Sequence, residues 1–71
     1  MITVTVLSRS TGRPVSGRRV TVDWNCSWSE GQTDRNGSAN LHGGPGQGKV
    51  YVSSDKVRDG YLSGQVTVYA G

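Results

Sequence analysis

Phenylalanine is absent, cysteine and histidine occur once each, and proline occurs twice in 71 residues. With Cys26 alone, no intramolecular disulfide forms, so this is not a stapled secreted miniprotein. Cys26 sits between Asn25 and Ser27 with no basic neighbour to favour a thiolate, and reads as a small buried apolar residue. A zinc site built on Cys26 and His42 would need carboxylates for its remaining ligands, and no metal or cofactor is expected. No apolar run reaches the 18 or so residues that cross a bilayer as a helix. The N-terminal apolar run is broken by Thr3 and Thr5 and ended by Ser8-Arg9-Ser10, so it does not read as a signal peptide. Aliphatic residues are also few: ten valines, three leucines and one isoleucine. A chain of this size hides only about 60% of the surface it exposes when unfolded, so a modestly stable single domain over 1–71 is expected.

The formal charge is +3, unevenly spread. Residues 1 to 22 hold Arg9, Arg13, Arg18 and Arg19 and no acid. The rest holds Arg35, Lys49, Lys56 and Arg58 against Asp23, Glu30, Asp34, Asp55 and Asp59. Arginine's planar, permanently charged fork suits carboxylate or phosphate, which makes the first four a candidate contact for an anionic partner.

What the sequence does have is a two-residue rhythm. Ile2, Val4 and Val6 alternate with Thr3 and Thr5; Val20, Val22 and Trp24 alternate with Thr21, Asp23 and Asn25. Ala39 and Leu41, Val50 and Val52, and Val66, Val68 and Ala70 repeat the pattern. Such alternation predicts strands wet on one face and dry on the other. The richest helical candidate, Ser53 to Gly60, lacks a second apolar turn and reads as an irregular crossing or a short strand at Lys56 to Arg58.

Turn chemistry separates these runs. Gly12 to Gly17 encloses Pro14, and Asp34-Arg35-Asn36-Gly37 is a strong turn in which the Asp34 carboxylate accepts the Asn36 N–H. Gly43 to Gly48 reads as a flexible loop, and Asp59-Gly60 as another turn. Short strands at about ten-residue intervals predict a small Greek-key β-sandwich of six to seven strands.

Thr11-Gly12-Arg13-Pro14-Val15-Ser16-Gly17 followed by Val20-Thr21-Val22 resembles the opening of carboxypeptidase regulatory-like domains. Gln32 to Ala39 is similar to that family's Thr-Asp-x-x-Gly hairpin, and Gly48 to Val52 and Gly60-Tyr61 follow in order. The resemblance implies a transthyretin-like, or more broadly immunoglobulin-like, sandwich that serves as a non-catalytic accessory or adhesive module. The segment from Trp24 to Gln32 is short for the family, so a strand there is expected to be shortened or missing.

Candidate sites are few. Gly43 to Lys49 fits a phosphate-loop string, but Val50 replaces the Ser/Thr, a strand follows instead of a helix, and Pro45 removes an N–H. His42 shares the polar phase of Ser38 and Asn40, and the acids form no pair for general acid–base work, so no enzyme is expected. Trp24 keeps phase with Val20 and Val22 and belongs to the core; Trp28 falls where the strand continues or bends. Trp28, Tyr51 and Tyr69 are the candidate aromatic contacts. The leading expectation is therefore a binding module for a protein or carbohydrate, with no membrane partner. The strand at 2 to 7, uncharged and proline-free, is the expected edge for a weak homodimer, or for strand addition to a partner, if the protein is not a lone monomer. The alternative is a polyanion binder, nucleic acid included, working through Arg9, Arg13, Arg18 and Arg19. A natural start at Met1 would imply a cytoplasmic protein, and excision from a longer chain a surface one.

Overall fold

The computed structural model describes residues 1–24, 27–43 and 45–70. Seven strands alternate with short turns: β1 Ile2–Ser8, β2 Arg19–Trp24, β3 Ser27–Gln32, β4 Ser38–Leu41, β5 Gly46–Val52, β6 Asp55–Leu62 and β7 Gln65–Ala70. They form two sheets, ordered β4-β1-β7 and β3-β2-β5-β6, which makes the protein an all-β sandwich. The two-residue rhythm explains why. From one sheet Ile2, Val4, Val6, Ala39, Leu41, Val66 and Val68 turn inward; from the other come Val20, Val22, Trp24, Val50, Val52 and Leu62. Each of these is at least nine-tenths buried, while Thr, Ser and charged residues take the alternate positions.

β1 is not an edge. It lies between β4, antiparallel, and β7, parallel, so the strand expected to pair with another chain already has both sides filled. An uncharged strand of alternating Val and Thr suits an interior position as well as an exposed edge, which is why sequence alone misplaced it. Its outer threonines are also engaged: Thr3 Oγ1 donates to Asn40 Oδ1 at 2.7 Å, and Thr5 and Ser38 hydroxyls pair at 3.2 Å.

Three further expectations need correction. The segment after Trp24 is neither shortened nor missing a strand: β3 pairs in register with β2 from Trp24↔Ser27 to Arg19↔Gln32. The supposed glycine loop is half strand, since β5 begins at Gly46. Gly43 and Gly48 make room for the Trp24 indole. A Cβ on Gly43 would sit 2.7 Å from the indole, and one on Gly48 would lie 2.9 Å from the Asp23 carbonyl and 3.3 Å from the ring. Third, Asp59-Gly60 is not a turn but part of the eight-residue β6, where Gly60 has φ 139°. The real β5–β6 turn is Ser53-Ser54, with φ 51° and 77°, closing a two-residue hairpin between Val52 and Asp55. Cys26, read as buried, lies outside the described residues.

The Asp34 turn forms as expected. Its carboxylate accepts the N–H groups of Asn36 at 2.8 Å and Ser38 at 3.0 Å, and Gly37 takes φ 77°. Before it, buried Thr33 ties down the loop entering β2: its Oγ1 accepts the Arg18 N–H at 2.9 Å, and its carbonyl accepts that of Gly17.

Candidate functional site

Register places the candidate residues. Opposite the dry face of the four-stranded sheet, successive rows read Glu30–Thr21–Tyr51–Lys56 and Trp28–Asp23–Lys49–Asp59, followed by the pair Gln47–Tyr61. Trp28 and Tyr51 therefore share this outer face. Tyr61, not among the three aromatic contacts expected from the sequence, joins them once β6 is seen to run through Gly60. Tyr69 does not: it stands on β7 of the other sheet.

Trp28 is 67% exposed and Tyr61 61%, so neither ring contributes much to the core. From strand spacing, Trp28 and Tyr51 are about 12 Å apart, and Tyr51 and Tyr61 about 14 Å. Between them lies a shallow depression of about 250 Å³ lined by Asp23, Gln47, Lys49 and Asp59 over the backbone of Trp24 and Gly48. Lys49 is flanked in register by Asp23 and Asp59. Among the described residues, neither carboxylate lies within 4 Å of its amine, and Asp59 instead meets Lys56 at 3.7 Å. The result is a flat polar field of donors and acceptors with aromatic rings at its corners.

The four arginines gather elsewhere. The molecule measures 33 × 18 × 18 Å, and its strands run between two poles. One pole collects the end of β1, the loop carrying Arg9 and Arg13, the start of β2 at Arg18 and Arg19, the Asp34 turn, and the start of β6. There Arg9, Arg13, Arg18, Arg19, Arg35 and Lys56 stand against Glu30, Asp34, Asp55 and the Asp59 that meets Lys56, an excess of two. Arg19 meets Glu30 at 3.8 Å, a solvent-exposed contact worth little. Arg9, Arg13, Arg18 and Arg35 have no carboxylate within 4 Å among the described residues.

His42 is exposed just beyond β4, at the opposite pole. Among the described residues no three His, Cys, Asp or Glu side chains gather where a metal would sit. Among the described residues no helix is long and apolar enough to cross a membrane. Compared with known proteins, the chain matches no family model, no curated protein and no solved structure.

Proposed function

We propose that this protein is a non-catalytic binding module that takes an oligosaccharide on the outer face of its four-stranded sheet. The observation that carries this reading is the placement of Trp28, Tyr51 and Tyr61 around the polar field of Asp23, Gln47, Lys49 and Asp59. A pyranose ring has an apolar C–H face that stacks on an aromatic ring and a rim of hydroxyls that needs charged and amide partners. This face offers both, and it is too shallow to enclose a reaction. The resemblance to carboxypeptidase regulatory-like domains, which implies accessory modules, supports a role without chemistry. The test is tryptophan fluorescence titrated with soluble hexasaccharides of glucose, xylose and N-acetylglucosamine. At least one should shift the Trp28 emission with a dissociation constant between about 10 μM and 1 mM, the range expected of shallow, wet sites. Trp28→Ala and Tyr61→Ala should each weaken it by about tenfold or more, in keeping with aromatic contacts of 1–3 kcal/mol. Silence across the panel would leave this face as a protein contact instead.

A second reading, binding of a nucleic acid or other polyanion, is favoured by the gathering of Arg9, Arg13, Arg18 and Arg19 at one pole. Contacts to phosphate lose affinity steeply with salt. An oligonucleotide that fails to bind at 50 mM salt would end this reading.

A further inference from the structure

A sheet edge presents unpaired N–H and C=O groups that invite another chain, and proteins normally blunt each edge. Here the edges are β3, β4, β6 and β7. β4 is only four residues long and lies against β3, which itself carries Glu30. β6 is guarded several times over, by Asp55, Lys56, Arg58 and Asp59, a register shift opposite Val50 and Tyr51, and Gly60 at φ 139°. β7 approaches β6 to about the extent that β4 approaches β3, but its own residues carry none of the other devices. Gln65–Ala70 contains no charge, no proline, no register shift and no positive φ, and among the described residues its only strand partner is β1.

The ground beside β7 is also shaped. β6 and β7 are linked by only Ser63 and Gly64, yet they belong to different sheets, so a seam opens between them toward the arginine pole. Two depressions of about 320 and 400 Å³ lie there and share Asp55 and Ala70. Val15, Val57 and Ala70 line them, half-buried against the core; Arg9, Arg18 and Lys56 set three positive charges there against the Asp55 carboxylate, and Lys56 also meets Asp59 at 3.7 Å.

We infer that this seam accepts an extended acidic segment of a partner protein, which adds to β7 as a further strand. Backbone pairing supplies the affinity. Alternate apolar side chains cover Val57 and Ala70, and carboxylates reach Arg9, Arg18 and Lys56. A second copy of the chain fits less well: its own β7 carries no carboxylate, and it brings another +3 of like charge. This surface is separate from the aromatic face, so the inference does not depend on the carbohydrate reading.

The experiment is a ¹H–¹⁵N titration of the intact chain with a capped hexapeptide alternating valine and glutamate. The amides of 65–70 should shift and exchange more slowly with solvent. A valine–lysine counterpart should bind at least about tenfold more weakly, as charge complementarity demands. A glutamate peptide N-methylated at alternate residues, with charge kept and ladder donors removed, should lose binding. Arg9→Ala with Lys56→Ala, both exposed and so harmless to the fold, should weaken the parent peptide by about tenfold. The inference is overturned if the 65–70 amides do not respond, or if the methylated peptide binds as well as its parent. It also fails if a hexathymidylate competes fully without touching β7, which would assign the pole to polyanions. Protection of β7 that grows with protein concentration and no peptide would hand the edge to a second copy.

Discussion

The Ser53-Ser54 turn offers the sharpest test of the backbone geometry. Both residues adopt positive φ, 51° and 77°, and they close a hairpin between Val52 and Asp55. Two consecutive left-handed residues make the mirror-image turn that matches strand twist, and its preferred pair is Asn-Gly. An ordinary L-residue in that region costs about 1–2 kcal/mol, because Cβ crowds the following carbonyl. Ser54→Gly removes that crowding but restores freedom to the unfolded chain, worth about 0.5–1 kcal/mol in the other direction. The net gain should be about 0.5–1 kcal/mol, and Ser53→Asn with Ser54→Gly should bring it to about 1–2 kcal/mol. At the sensitivity of a domain this small, the double variant should melt roughly 4–15 °C higher. The Ser53 N–H, which donates to the Arg19 carbonyl at 3.0 Å, survives both changes. Ser16→Gly is the control: Ser16 is exposed and not among the positive-φ residues, so there the same substitution should leave stability unchanged or lower it. Thermal melts by circular dichroism read all four proteins. A double variant that melts at or below the parent would refute the turn assignment, and so would an equal gain at position 16.

Other substitutions probe packing and the face. Gly48→Ala would place a Cβ 2.9 Å from the Asp23 carbonyl, a contact the backbone cannot easily yield; a loss of about 1–3 kcal/mol in urea unfolding is expected. Thr33→Val keeps shape but removes the acceptor of the Arg18 N–H, and should lower stability by about 1–2 kcal/mol and speed exchange of that amide. Trp28→Ala should change stability by less than about 0.5 kcal/mol, since the ring is largely exposed, while weakening oligosaccharide binding by about tenfold or more. A loss above about 2 kcal/mol would mean that the indole holds the fold instead.

The sandwich was legible in the sequence because its signal is local. Alternation at Ile2-Val4-Val6 and Val20-Val22-Trp24 states which face is dry, whatever the strand pairs with. The Asp34 turn was legible for the same reason, its hydrogen bonds spanning only two and four residues. What remained hidden depends on distant partners. Nothing in Ile2–Ser8 reveals that β4 and β7 flank it. Ser53-Ser54 carries none of the glycine or asparagine that marks a mirror-image turn, whereas Asp59-Gly60 does and lies within a strand. Gly43 and Gly48 looked like slack, because the indole they accommodate lies some twenty residues earlier in the chain. The candidate site divided in the same way. Four arginines in the first nineteen residues were bound to end near one another, but the meeting of Trp28, Tyr51 and Tyr61 requires the register of three pairings.

β3 connects fold to function most directly. It contributes no residue to the core; Ser29 and Gly31 are its only half-buried positions. At Gly31 a Cβ would lie 2.7 Å from Leu41 Cδ2, so any side chain there would have to push that buried leucine aside. The strand is therefore held by its ladder to β2, by exposed side-chain bonds such as Gln32 Nε2 to the Gly17 carbonyl at 3.2 Å, and by its approach to β4, a weak basis for a six-residue element in a protein with few aliphatic residues. It repays that weakness by extending the outer face by one strand and bringing Trp28 into the row of Asp23, Lys49 and Asp59. Elements retained with little core burial belong to the low-stability end of a structure, where binding surfaces are also found. The amides of Ser27–Gln32 should then exchange faster than those of β1, β2 and β5, and slow selectively when the outer face is occupied. Uniform protection of β3 and β2 without ligand would show that the strand is anchored by something other than its pairing, and would remove this link between Trp28 and binding.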